Sequence, residues 1–275
     1  MRVALNDGRL IGYDSTGDGP AVVFLHPVGL SRRFWDDVTT LLPQTLRLVR
    51  LDLAGHGESD PLGEHFSLDD FANDVIECTR VLALGPVVLV GCSMGGMVAQ
   101  GVAIKEPALV SGMLLTNTTH RVDPVMRPIL LKRAEAARNE MKAVIDETIE
   151  RWFSADVRRR QPNIVDRIRK LLAEAAPENF ARCWQAIAAL DYSQGLERIS
   201  APTIVVTGDS DRSSSPGEAA LLARLLPRAE LKVLSGGHLL PIEQPTKIAT
   251  LIVDHVLAIR TGLLAEKAAR GPRQK

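Results

Sequence analysis

Residues 87–106 read VVLVGCSMGGMVAQGVAIKE. Four consecutive β-branched or aliphatic residues, Val87 to Val90, end at a Gly91-Cys92-Ser93-Met94-Gly95 pentapeptide. A helical pattern follows it. A short continuous apolar run is what a strand buried on both faces looks like. A serine between two glycines at this junction fits a strained strand-to-helix turn, which lifts the hydroxyl out of the sheet. The glycines let the backbone pass closely without Cβ clashes. The helix that follows would aim the positive end of its dipole at charge developing beside Ser93. The stretch therefore predicts a parallel α/β sheet with a candidate nucleophile at a strand's C-terminal end.

The flanking sequence extends the pattern. Ala21–Leu25 (AVVFL), Leu46–Leu51, Val110–Thr116, Thr203–Thr207 (TIVVT) and Leu231–Leu234 are further strand candidates. Between them, Leu68 to Leu84 carries apolar residues at helical spacing, with Ser67 as N-cap and Asp69 and Asp70 in the first turn. Gly85-Pro86 ends it. The last strong helix runs from about Gln244 to Arg260, and the tail from about Thr261 is expected to fray. From about His120 to Arg198 the chain is charged, Arg-rich and helical, with no strand pattern. A segment this long is not a structureless loop. The reading is an α/β fold: a doubly wound, mainly parallel sheet with an inserted helical cap. Residues 1–119 and 199–275 form the core and 120–198 the cap over the sheet's C-terminal edge, where such sheets place their ligands.

Composition narrows the function classes. The 275 residues are 45% hydrophobic and 24% charged, ordinary values for a globular chain. Lys plus Arg is 33 and Asp plus Glu is 33, so there is no basic surplus for nucleic acid or an anionic membrane surface. No signal-peptide run opens the chain, and no stretch reaches the roughly 20 apolar residues of a membrane span. Three cysteines, Cys78, Cys92 and Cys183, make no disulfide framework and fit a reducing cytoplasm. No CxxC or HExxH pattern points to a metal, and no cofactor is expected.

Two further segments complete a candidate catalytic set. Asp211 lies in Gly208-Asp209-Ser210-Asp211, just past the TIVVT strand, and His238 follows Gly236-Gly237 after the last strand. An imidazole can take the serine's proton. A carboxylate can hold that imidazole in the required tautomer and stabilise the imidazolium. Asp209 is the competitor to Asp211 for this place. The chain order Ser93, Asp211, His238 is the one this fold uses. The loop after AVVFL, His26-Pro27-Val28-Gly29, supplies one oxyanion donor as the Val28 N–H, and the Met94 N–H is the other; Pro27 has none to give. His26 reads as a hydrogen-bonding post for this loop, and His56 as a turn residue packing the site's floor. His65, His120 and His255 read as ordinary surface or cap residues. Cys92 reads as buried and inert.

With these motifs in place, the whole chain resembles the α/β-hydrolase superfamily. The matching pieces are the loop after FLH, LDLAGHGESD, GCSMGG, GDSD and GGH. Within it, the sequence looks most like the 3-oxoadipate enol-lactonases, on MLLTNTT, RWFSADVRRRQP, ARCWQAIAALDYSQGLERISAPTIVVTGDSD and GGHLLPIEQP. The His-Pro-Val-Gly loop departs from the small polar residues typical there, and the Trp184 segment matches only in part. The resemblance implies a small-molecule ester or lactone as partner, cleaved through an acyl-enzyme. A carboxylate-bearing lactone calls for a cation in the cap, with Arg127, Arg133 and Arg182 as candidates. Trp152, Trp184 and Leu239 are the expected apolar contacts. The apolar faces of cap helices also offer a homodimer contact. The same triad would serve a general carboxylesterase, a carbon–carbon bond hydrolase, a cofactor-free perhydrolase or a slow-turnover ligand receptor. Dehalogenase and epoxide hydrolase chemistry would need Asp where Ser93 stands.

Overall fold

The computed structural model describes residues 1–262. Eight strands form one sheet in the order β1-β2-β4-β3-β5-β6-β7-β8. They are β1 Arg2–Ala4, β2 Leu10–Thr16, β3 Ala21–Leu25, β4 Arg47–Leu51, β5 Val87–Cys92, β6 Val110–Thr116, β7 Thr203–Gly208 and β8 Ala229–Leu234. From β4 to β8 every neighbouring pair is parallel; β1 and β2 are joined antiparallel to each other and β2 to β4. The mainly parallel, doubly wound sheet expected from the sequence is therefore present. The two N-terminal strands were not foreseen. β2 (LIGYDST) is only half-buried and carries polar residues, so it lacks the apolar run that marks a central strand. β3 and β5 are buried along their whole length.

Helices cover both faces of the sheet. α1 (Asp36–Thr39), α9 (Leu240–Glu243) and α10 (Pro245–Arg260) pack against one another, and α10 lies on β6. α2 (Leu68–Val81) packs on α3 (Met94–Lys105), which runs along β5. α2 opens with a full capping box, Ser67 with Asp70, and buries Phe71, Val75 and Ile76. α8 (Pro216–Leu225) joins β7 to β8 and opens with a second box, Ser215 with Glu218. At the other end Thr261 closes α10 on the Leu257 carbonyl; the expected fraying concerns, from residue 263 on, positions outside the described residues.

The insertion after β6 carries α4 (Arg127–Trp152), α5 (Ala155–Arg160), α6 (Pro162–Ala173) and α7 (Pro177–Ala188). Its neck is a two-rung clasp. Val122 N–H donates to Leu190 O at 3.0 Å and Tyr192 N–H to His120 O at 2.9 Å, with Arg121 bridged to Asp191. α4 is sharply bent at Glu140, whose φ of −138° and ψ of 50° leave the helical region. A straight helix would separate Arg133 from Thr148 by about 22 Å. Instead Arg133 donates to Thr148 Oγ1 and to Val144 O, so the two arms lie side by side.

Two histidines differ from the sequence reading. His120 and His255 are 2% and 4% exposed, not surface residues. His120 is enclosed at the neck, and His255 bonds Pro202 O at 3.1 Å behind the sheet. His65 is exposed. All three cysteines are free and buried. Among the described residues, no helix is long and apolar enough to cross a membrane and no group of three or more His, Cys, Asp or Glu is placed to hold a metal.

Candidate active site

Ser93 sits between β5 and α3 with φ 53° and ψ −118°, a backbone conformation costly for a residue with a Cβ. Its two glycine neighbours are sterically required. A Cβ on Gly91 would lie 2.4 Å from Gly95 O, and one on Gly95 would lie 2.1 Å from Leu25 O. The turn is held by Ser93 N–H donating to Thr116 O and by the Thr118 hydroxyl donating to Ser93 O at 2.7 Å. The Ser93 side chain is thereby fixed at the C-terminal edge of the sheet.

Ser93 Oγ lies 3.0 Å from His238 Nε2. His238 Nδ1 lies 3.0 and 2.9 Å from the two oxygens of Asp211. The backbone N–H of His238 donates to Trp152 O at 3.0 Å, so the last residue of α4 helps to place the imidazole loop. Gly237 N–H donates to the Glu243 carboxylate, which burial pushes above the usual carboxylate range. Asp209, the competing aspartate, is exposed and accepts from Gly236 N–H and the Ser210 hydroxyl; it braces the turn and does not face the imidazole.

Asp211 is 5% exposed. Burial works to raise its pKa, but the charge and hydrogen bond of His238, with bonds from Asn117 and Ser213, outweigh it and hold the group below the ordinary value. Asn117 escaped the sequence reading. It is fully buried, adopts φ 51°, and donates from Nδ2 to Asp211 Oδ2 at 2.9 Å and to Gly237 O at 3.0 Å. It thus ties the acid to the imidazole loop. One Asn in a TNTT run gives no periodic signal; its position right after a sheet strand, opposite the acid loop, was the available clue. Asn117→Ala loses two buried hydrogen bonds of about 1 kcal/mol each and adds about 1 kcal/mol of left-handed strain. A fall in melting temperature of roughly 5 °C or more is expected. Asn117→Gly keeps the backbone and should lose less; calorimetry of both variants checks the split.

Pro27 to Leu30 forms a turn, with Leu30 N–H on Pro27 O and Gly29 at φ 73°. Among the described residues neither the Val28 nor the Met94 N–H has a hydrogen-bond acceptor, and Met94 is the first residue of α3. Met94 directly follows Ser93, and Val28 lines the same cavity of about 510 Å³ as Ser93.

The cavity lies between sheet and cap. Ser93, His238, Trp152 and Trp184 line it. Leu239 is fully buried and is not among its walls. None of the three arginines expected at the cavity reaches it. Arg127 is exposed and lies with Arg182 at a different surface depression. Arg182 pairs with Glu178 and donates to Leu62 O. Arg133 is buried, lies over the Trp184 ring at 4.9 Å, and is pushed down by desolvation to about 10. It supports the wall formed by Trp184. The cations that do line the cavity are Arg121, Arg151 and Arg212. Arg151 precedes Trp152 at the end of α4 and Arg212 follows Asp211 in the loop after β7, so adjacency to a site residue was the available signal for both.

A model of the alpha/beta hydrolase family matches residues 22–251, which holds the sheet from β3, the turn at Ser93, the cap and His238. The chain belongs to the alpha/beta hydrolase family. Among relatives of this hydrolase, (E)-2-((N-methylformamido)methylene)succinate hydrolase from Acinetobacter baylyi is 28% identical over 89% of this chain and 93% of its own. The 3-oxoadipate enol-lactonase 2 of the same organism is 28% identical over 83% and 85%. A malate-bound thermophilic esterase from Thermogutta terrifontis superposes with a TM-score of 0.89 at 29% identity, over 94% of this chain and 99% of its own.

Proposed function

We propose that this alpha/beta hydrolase is a serine hydrolase that opens a carboxylate-bearing ester or lactone, with 3-oxoadipate enol-lactone as substrate in aromatic catabolism. The observation that carries the reading is the unbroken path from Asp211 through His238 to Ser93 Oγ, which opens into a cavity between core and cap. His238 Nε2 takes the proton as Oγ attacks the carbonyl. The Val28 and Met94 N–H groups bind the oxyanion. Collapse opens the ring; the acyl group stays on Ser93, and the enol oxygen it releases takes the proton back from Nε2. Water, deprotonated by the same nitrogen, then attacks the acyl-enzyme and frees the acid and Ser93.

Three supports favour an anionic substrate. The relatives named above act on carboxylate-bearing molecules, or bind malate. Arg151 and Arg212 line the cavity without an ion pair or side-chain hydrogen bond among the described residues. The acidic groups on the same walls are engaged: Asp123 with Val125 N–H, Glu218 with Ser215, Glu147 with Arg133 and Glu150 with Arg158. A general carboxylesterase is the second reading, favoured by the likeness to the Thermogutta terrifontis esterase.

Steady-state hydrolysis of the enol-lactone beside p-nitrophenyl esters separates them. A kcat/KM for the lactone about a hundredfold above the best ester supports the lactonase, equivalent to roughly 2.7 kcal/mol of transition-state preference. Ester preference leaves the serine mechanism and removes the substrate assignment. Arg212→Ala and Arg151→Ala are expected to raise KM for the lactone about tenfold, the low end of a hydrogen bond to a charged group. KM for a neutral ester should barely change. Equal effects on both substrates would exclude these arginines as carboxylate ligands.

A further inference from the structure

Two buried histidines outside the reacting set, His26 and His56, flank the loop that carries Val28. Their hydrogen bonds define their protonation. Leu53 N–H points at His26 Nε2 at 2.9 Å, and Gly29 N–H points at His56 Nε2 at 3.1 Å. A backbone N–H can only donate, so both Nε2 atoms carry a lone pair. His26 Nδ1 lies 2.8 Å from Pro27 O, and His56 Nδ1 lies 3.0 Å from Ala54 O. A carbonyl only accepts, so both Nδ1 atoms carry the proton. Both rings are therefore neutral, in the same tautomer, and meet edge to face at 4.8 Å. Burial agrees, pushing His26 down to about 4 and His56 to about 3.

The bonds bracket one residue. His26 holds the carbonyl before Val28, and His56 holds the N–H after it. The peptide planes on either side of Val28 are thus fixed from the loop after β4. The cap closes the arrangement from above. Cys183 Sγ of α7 lies 3.8 Å from His56 Nε2, and Phe180 of the same helix sits where a Gly29 Cβ would be, 2.5 Å from that point.

We propose that His26 and His56 are a pair of positioning residues that aim the Val28 N–H at the oxyanion, and that α7 backs the loop through Cys183 on His56 and Phe180 on Gly29. The proposal rests on the serine-hydrolase reading, in which Val28 is an oxyanion donor. A donor held in place before reaction costs no reorganisation when charge develops, whereas a mobile one loses most of its effect. The pair needs one acceptor and one donor on each ring. Glutamine can place an oxygen near the Nε2 position; phenylalanine fills the space and offers neither group.

The test uses the full chain, with p-nitrophenyl acetate as substrate and a phenylboronic acid as tetrahedral mimic. Wild type and Ser93→Ala come first: a wild type with no Ser93-dependent activity on either p-nitrophenyl acetate or the enol-lactone means the serine-hydrolase reading fails, whatever His56 does, and the substrate that is turned over serves for the variants. With that activity present, His56→Phe is expected to lower kcat by about tenfold to a hundredfold, to leave KM within about twofold, and to weaken boronate inhibition by the same factor as kcat. His56→Gln should recover most of both. A folded His56→Phe with wild-type kcat and boronate affinity overturns the proposal. If that variant does not fold, ¹⁵N NMR of wild-type histidines decides: both rings should show the Nδ1–H tautomer at pH 6, and a charged or Nε2–H ring at either position overturns it.

Discussion

Ser93→Ala should lower kcat about a millionfold on any ester or lactone that the wild type cleaves, the cost of removing the nucleophile in other serine hydrolases. Such a variant keeps the cavity, so substrate binding should persist with turnover gone. The backbone makes a second, opposite prediction at the same position. Ser93 holds φ 53° and ψ −118°, where a Cβ is disfavoured. Alanine keeps that strain, whereas Ser93→Gly removes it. The glycine variant should be as inactive as the alanine one yet more stable than wild type by about 1 kcal/mol, within the range stored at such positions. Kinetics and thermal denaturation of the two variants read the effects separately. A glycine variant that melts below wild type would show that the turn is relaxed. An alanine variant with more than about one-thousandth of wild-type activity would show that Ser93 is not the nucleophile.

That coupling of strain to chemistry explains what the sequence could disclose. The turn at Ser93 is legible because only glycine fits at 91 and 95, where a Cβ would strike Gly95 O and Leu25 O. A steric rule of this kind is local and leaves a fixed spacing in the chain. The central strands are legible for the same reason, since burial on both faces demands unbroken apolar runs. The strands β1 and β2 obey no such demand, because the sheet edge leaves them half wet.

The cavity walls were harder to read. Which arginine of α4 meets the cavity depends on the bend at Glu140, where no glycine or proline marks the break. The bend folds one arm of α4 onto the other and turns Arg133 inward to Thr148 and the Trp184 ring. It also brings Arg151 and Trp152 to the wall. Asn117, His120 and His255 were misjudged or missed for a related reason. Their burial follows from contacts with distant segments, Gly237, the cap neck and Pro202, which no local pattern encodes.

Asp211→Asn should lower kcat about ten-thousandfold, while Asp209→Asn changes it by no more than a few-fold. The hydrogen bonds around Asp211 are the reason so large an effect is expected from so small a change. Its carboxylate is surrounded by donors alone: Ser213 N–H at 2.8 Å, Ser214 N–H at 3.1 Å, Asn117 Nδ2 at 2.9 Å and His238 Nδ1. Asparagine offers one oxygen and one NH₂ to a site built for two acceptors. The NH₂ must then face a donor, unless a partner inverts. His238 can invert, moving its proton from Nδ1 to Nε2 and accepting the amide at Nδ1. Nε2 would then carry a proton toward Ser93 Oγ and could no longer remove one. The folded enzyme is retained and its base is lost. Because the native carboxylate is held below its ordinary pKa, it stabilises the fold above the unfolded-state value and ceases to as pH falls through the folded one. The Asn variant should lack that part of the acid dependence. Kinetics and melting temperatures between about pH 3 and 8 test both statements. A ten-thousandfold loss in Asp209→Asn with an active Asp211→Asn would transfer the role to the exposed aspartate, although Asp211 is the one bonded to the imidazole.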